Sequence, residues 1–213
     1  MWVKLPLQLG HLLPILAKKG YTFHNAEGTT AMLLKWVAPK QPCSVPPFAT
    51  HQVGVGGLVF NSSGLMLAVK DHHGLPLLKL PGGLANLGED FGATAVREVQ
   101  EETGVVSEFE SLLAMRHQHN VAWGRSDIYV VCALRALTET ICMDPGEISE
   151  CRWVSREEFI ANAHASSIAS RLLRNWPIAG LSEQTLPTIA NPDRTFKLYA
   201  NLSASSSSSN TKQ

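Results

Sequence analysis

At 213 residues the chain has the length of one domain with extra segments. Hydrophobic residues make up 45% and charged residues 17%, which favours a packed core over disorder. Eighteen Lys and Arg balance eighteen Asp and Glu, so no global basic field points to nucleic acid and no polybasic run to a membrane surface.

Residues 1–47 read as a separate N-terminal unit. Leu5 to Lys19 is expected to be helical, with Leu9, Leu12, Leu13 and Leu16 at core spacing, and Pro14 kinks that helix or marks its true start. Gln8, His11 and Pro14 interrupt the apolar stretch, so an amphipathic helix fits better than a signal peptide. Tyr21 to Asn25 and Ala31 to Val37 read as strands around Glu27-Gly28, and Pro39, Pro42, Pro46 and Pro47 form a linker. Residues 48–200 form the main domain. Val53 to Phe60 and Leu65 to Lys70 read as a hairpin around Asn61 to Gly64. Pro76 to Leu80 leads into the turn Pro81-Gly82-Gly83. Ser111 to His119, Asp127 to Leu137 and Glu147 to Val154 are further strands. Ser155-x-x-Glu158 is a capping box opening a helix over Glu157 to Ala163, and Ser166 to Asn175 is one more helix. Residues 201–213, a serine run from Ser203, are expected to be a disordered tail. Cys43, Cys132, Cys142 and Cys151 show no CxxC or zinc spacing and read as reduced, mostly buried thiols. No apolar run approaches the ~20 residues of a membrane span.

The stretch Gly83 to Val105 carries the chemistry. Phe91 to Thr103 lacks proline and is rich in Ala, Val, Glu and Gln, so it is expected to be helical, with Asp90 as N-cap and Gly104 as a left-handed C-cap. Glu98, Glu101 and Glu102 fall at i, i+3 and i+4, on one arc roughly 100° wide. Like charges so placed repel by a few tenths of a kcal/mol per pair, so the cluster must be solvated or neutralised by cations. Carboxylate oxygens suit a hard divalent ion such as Mg²⁺ or Mn²⁺. A solvated acidic face is the plainer alternative.

The pattern G-x5-E-x7-R-E-U-x-E-E-x-G-U, with U aliphatic, is filled by Gly83, Glu89, Arg97, Glu98, Val99, Glu101, Glu102, Gly104 and Val105. Chance agreement at a given start is on the order of 10⁻⁹. It is the signature of the Nudix hydrolases, which the chain resembles. Trp2 to Pro6, Lys19 to Glu27, Leu33 to Val37, Ala49 to Gly57 and Arg116 to Asp127 are also similar to one subgroup of that family. That subgroup holds plant ADP-ribose/NADH pyrophosphatases and a vertebrate Nudix protein encoded antisense to a fibroblast growth factor gene. Its members usually carry strands ahead of the Trp-x-Lys-Leu-Pro segment, which here follows Met1 directly, so a shortened N-terminal unit is expected.

The resemblance implies an α/β/α Nudix sandwich, a mixed sheet with a catalytic loop-helix, preceded by a small α+β unit. It implies hydrolysis of a nucleoside diphosphate derivative, ADP-ribose or NADH, by water attack on phosphorus. Glu98, Glu101 and Glu102 would hold Mg²⁺ or Mn²⁺ with the Gly83 carbonyl, and Arg97 and Glu89 would orient loop and helix. Glu98 is the first candidate for the general base and Glu147, in its Glu-x5-Trp153 context, the second. His51, Arg116 and His119 match the subgroup as substrate contacts or as structural hydrogen bonds. Trp123 reads as a stacking platform for adenine or as a dimer contact. Asp71-His72-His73 reads as a polar turn. The expected partner is a nucleotide-type small molecule, with a cytoplasmic location and a homodimer as further expectations. The competing readings are another Nudix substrate (a nucleoside triphosphate, CoA or capped RNA) or a weakly catalytic binding or regulatory module.

Overall fold

A computed structural model describes residues 1–38, 40–73, 75–189 and 193–201. The expected serine-rich tail beyond Asn201 lies outside the described residues. The chain divides into two compact units, Met1–Thr50 and His51–Gln213.

In the first unit, β1 (Trp2–Pro6), β2 (Thr22–Glu27) and β3 (Thr30–Leu34) form an antiparallel sheet in the order β1-β3-β2. The helix expected over Leu5–Lys19 is corrected. Leu5 and Pro6 belong to β1, Leu7–Leu12 is 3₁₀, and only α1 (Leu13–Lys18) is α-helical. Prolines explain the break: Pro6 holds an extended backbone at φ −63° and ψ 147°, and Pro14 sits in the first turn of α1, where its missing N–H costs nothing. None of Leu9, Leu12, Leu13 and Leu16 is buried; Leu5 and Leu33 are the buried pair.

The second unit is built from β4 (His51–Phe60), β5 (Met66–Asp71), β6 (Gly82–Leu84), α2 (Phe91–Thr103), β7 (Ser107–Gln118), β8 (Ser126–Ala136), β9 (Ile148–Val154), α3 (Arg156–Asn162), α4 (Ile168–Arg174), β10 (Ser182–Pro187) and β11 (Thr195–Ala200). The main sheet runs β7-β8-β4-β5-β9, with β6 paired to β4. β4 and β8 are parallel over their whole length, and β7/β8 and β5/β9 are antiparallel. The expected β4–β5 hairpin forms only at its base. Phe60 pairs with Met66, then the strands diverge, β5 joins β9, and Gly82–Leu84 of β6 pairs with Gly54–Gly56. That fork sets the loop ahead of α2 inside the sheet.

Both faces of the sheet are covered, as strand alternation shows. Val130, Cys132 and Leu134 pack with Ala95 and Val99 of α2, whereas Val131 packs with Phe159 of α3 and Leu172 and Leu173 of α4. This is the expected α/β/α arrangement. The helix over Phe91–Thr103 stands where expected, with Gly104 left-handed at φ 72°. Asp90 has N-cap backbone geometry but makes no side-chain cap bond; its carbonyl accepts from the Thr94 amide instead. Ser155 accepts from the Glu158 amide, as the capping box predicts. The β10–β11 hairpin was not anticipated. The thiol expectation is half corrected: all four are free, but Cys43 and Cys142 are exposed and only Cys132 is buried. Among the described residues no helix is long and apolar enough to cross a membrane.

Candidate active site

The site is assembled where the β4–β5 fork admits the loop before α2. Gly57 lets the helix come close: a Cβ there would lie 2.7 Å from Val99 and 2.9 Å from Leu134. Gly82, at φ 152°, has no room for a Cβ against the Val55 carbonyl, and a Cβ on Gly83 would meet the Glu98 carboxyl at 2.5 Å. Two glycines therefore let the loop backbone touch both the sheet and the acidic helix.

Arg97 ties loop to helix. Its Nε and Nη2 donate to the two oxygens of Glu89 at 2.7 and 2.9 Å, a bidentate pair. Its Nη1 donates to Glu98 at 2.7 Å and to Glu101 at 2.8 Å, and Nη2 also reaches the Leu84 carbonyl. Glu89 in turn accepts from the Asn86 amide at 3.0 Å. Beside the Arg97 guanidinium, the Glu89 carboxyl is held down to about 2, and the Arg97 guanidinium is raised above its ordinary value by the same hydrogen bonds.

The three glutamates of the helix differ in depth. The Glu101 side chain is 61% exposed, Glu98 13% and Glu102 6%. Glu102 accepts from the Gly82 amide at 3.0 Å and lies 3.9 Å from Lys79 Nζ, which pairs with Asp71 at 2.7 Å. Burial pushes the Glu102 carboxyl up to about 7, against the pull of Lys79 and the Gly82 amide. Glu98, Glu102, Glu147, Asp71 and Lys79 line one cavity of about 520 Å³ together with Gly83. The expected Glu147 thus borders the same cavity as Glu98 and Glu102, and its carboxylate has no hydrogen-bond partner among the described residues. Asp71, set aside as a turn residue, and Lys79 also border the cavity. The β5–β9 register places Asp71 opposite Ile148, and the Val69–Lys79 bridge brings Lys79 alongside, so no local motif marks them.

The donor set fits a hard divalent cation, since it is anionic, all-oxygen and partly buried. Among the described residues, however, no three His, Cys, Asp or Glu groups converge as a metal cluster. Glu98 and Glu101 are bound by Arg97, and Glu102 by Gly82 and Lys79.

The outlying candidates separate. Arg116 pairs with Asp127 at 2.7 Å, and its guanidinium lies over the Tyr129 ring at 5.2 Å. It borders a second cavity of about 300 Å³ that shares Asp71 and Lys79 with the first. His119 bonds Ser126 and stacks edge-on against His117, while His51 bonds His117. Trp123 is 87% exposed at φ 54°. Neither His119 nor Trp123 borders the two cavities.

With this geometry in view, the comparisons with known proteins agree. The family description "NUDIX domain" matches residues 50–175, and "Nudix hydrolase domain" matches residues 1–37. Nudix hydrolase 8 of Arabidopsis thaliana is 42% identical over 164 residues, covering 75% of this chain and 44% of that protein. Nucleoside diphosphate-linked moiety X motif 6 of Xenopus laevis is 44% identical over 167 residues, covering 76% of each. A Caenorhabditis elegans Ap4A hydrolase structure aligns with a TM-score of 0.50 at 17% identity, over 59% of this chain and 94% of that one, which speaks to fold alone. The chain belongs to the Nudix hydrolase family. It spans less than half of the plant relative's length.

Proposed function

We propose that the protein is a divalent-metal-dependent hydrolase that cleaves the pyrophosphate bond of a nucleoside diphosphate derivative, with ADP-ribose and NADH as the substrates. The observation that carries this is the single cavity bordered by Glu98, Glu102, Glu147 and Asp71, with its loop and helix locked together by Arg97. The names of the relatives, a Nudix hydrolase and a protein of nucleoside diphosphate-linked moieties, support the same bond class. The ADP-ribose and NADH assignment rests on the subgroup resemblance.

In this reading Glu98, Glu101 and Glu102 would hold a Mg²⁺ or Mn²⁺, with the Gly83 carbonyl adding an oxygen. The ion neutralises phosphate charge and acidifies a water when bound. The residues of the chain do the rest. A carboxylate accepts the proton as water oxygen bonds to phosphorus, the bridging P–O bond breaks, and the phosphate of the leaving half carries the electron pair away. Glu147 is the base we favour over Glu98. Its carboxylate has no partner among the described residues, whereas a lone pair of Glu98 is already taken by Arg97 at 2.7 Å. Lys79, held between Asp71 and Glu102, supplies positive charge to the phosphates. Arg97 and Glu89 fix the loop on which the glutamates depend.

The test is a panel of ADP-ribose, NADH, NAD⁺, CoA, dinucleoside polyphosphates and nucleoside triphosphates, with Mg²⁺ or Mn²⁺ and measurement of released AMP and phosphate. AMP from ADP-ribose or NADH, lost in Glu102→Gln with the fold retained, is the expected result. Turnover unchanged by Glu102→Gln overturns the metal assignment, and silence across the panel overturns the hydrolase reading.

A further inference from the structure

The second cavity, about 300 Å³, lies between the sheet and α3–α4. Leu78, Leu80, Phe159 and Ile168 make much of its wall hydrocarbon. Its common border with the carboxylate cavity is the Asp71–Lys79 ion pair, so a molecule whose pyrophosphate sits over Glu98 and Glu102 has this recess within reach. The volume is at the low end for ligand pockets, which suits one ring system with its sugar and excludes a whole dinucleotide.

Polar groups on the sheet side are few and fixed. Asp127 is 5% exposed and accepts from Gln52 at 3.1 Å and from Arg116 Nη2 at 2.7 Å. That bond anchors Arg116, whose half-exposed guanidinium lies 5.2 Å from the Tyr129 ring centroid. Its other guanidinium N–H groups, and the Tyr129 hydroxyl, have no partner among the described residues. Tyr129 itself is seated over Gly56, where a Cβ would lie 2.1 Å from its hydroxyl. The half-buried Tyr129 phenol leaves its hydroxyl on the cavity wall, open to a ligand group or a water. A planar donor array beside apolar walls matches a flat heterocycle carrying acceptor atoms on its edge.

Resting on the hydrolase reading above, we propose that this recess is the subsite for the nucleoside end of the substrate, and that Arg116, positioned by Asp127 and Tyr129, recognises the nucleobase. Arg116 then sets substrate preference while the glutamates across the Asp71–Lys79 border do the chemistry.

The experiment is binding, by calorimetry, of AMP, GMP, CMP, UMP and ribose 5-phosphate to the full chain in EDTA. At least one nucleoside monophosphate is expected to bind tenfold or more tightly than ribose 5-phosphate. Arg116→Met and the pocket-filling Ile168→Trp should each weaken it at least tenfold. Arg116→Lys, which keeps the charge but loses the planar fork, should not restore it. A melting curve for each variant separates loss of binding from loss of fold, and Ile168→Trp leaves the Asp127 pair intact. Equal weakening of AMP and ribose 5-phosphate by Arg116→Met would make Arg116 a phosphate clamp and overturn the proposal. So would nucleotide binding indifferent to both substitutions, or no preference for any nucleotide. Because the readout needs neither turnover nor metal, an active enzyme with indifferent binding sinks the subsite alone. Arg116-dependent binding in a protein silent toward every substrate sinks the hydrolase reading alone.

Discussion

Arg97→Met isolates the bond network that holds the acidic loop. The change keeps a long side chain and removes the guanidinium donors to Glu89, Glu98 and Glu101, leaving Glu89 the Asn86 amide. Glu89 and Glu98 have side chains only 16% and 13% exposed, so both lose a partner without gaining full hydration. Glu89 falls from an ordinary 4.5 to about 2, with Arg97 the first cause. At about 1.4 kcal/mol for each pH unit, that sets a ceiling of about 3 kcal/mol. Water in the open cavity screens the pair, and about 2 kcal/mol is the expected loss at pH 7. The melting temperature should drop by about 4–8 °C. The sign with pH follows from a carboxyl whose pKa is lower folded than unfolded. The stabilisation is fully present above pH 4.5 and is lost as pH falls toward about 2. Urea titrations of wild type and Arg97→Met at pH 7, 4.5, 3.5 and 2.5 should show a gap that narrows only below pH 4.5. A gap independent of pH, or no gap at pH 7, would refute the account of Arg97 as the tie between loop and helix.

Glu147→Gln should lower kcat on the order of 100-fold in steady-state assays while leaving KM within about threefold; an unchanged kcat would move the base to Glu98. Gly57→Ala places a Cβ 2.7 Å from Val99 and should cost about 1–3 kcal/mol in a denaturant titration, with an unaltered midpoint contradicting close packing of α2 on β4. Ser155→Ala removes the acceptor for the Glu158 amide and should cost about 1 kcal/mol by the same measurement, and no loss would mean that α3 starts without its cap.

Local signals were legible and long-range ones were not. Phe91–Thr103 was bounded from composition and Gly104, because helix propensity and a left-handed glycine act within a few residues. The capping box at Ser155 was equally local. The segment Leu5–Lys19 misled because leucine spacing suggested a helix while Pro6 and the pairing of Trp2–Pro6 with Leu34–Thr30 set an extended strand. Nothing near Ser182–Pro187 announces that it will meet Thr195–Ala200. In the site, the glutamates share one helix and were read from spacing. Asp71 and Lys79 reach it from separate segments, and Tyr129 reaches the neighbouring cavity from a third; only pairing across the sheet brings them together. Tyr129 faces Arg116 directly in the β7–β8 register, a cross-strand relation that no single stretch encodes.

Strand β4 shows how one segment serves two purposes. Alternation sends Gly57 to one face and Gly54 and Gly56 to the other. On the first face the missing side chain lets Val99 and the acidic helix settle against the sheet, which carries Glu102 down to the Gly82 amide. On the second it leaves space for the Tyr129 ring, on which Arg116 lies. A Cβ at Gly56 would displace the ring by its hydroxyl, and one at Gly57 would lift the helix, so the two faces fail separately. The fork between β4 and β5 joins them at its edge, where Asp71 and Lys79 border both cavities. Gly56→Ala should therefore weaken nucleotide binding in EDTA while leaving the Arg97 network and its pH-dependent stability in place, and loss of both together would show that the faces are coupled through the strand itself.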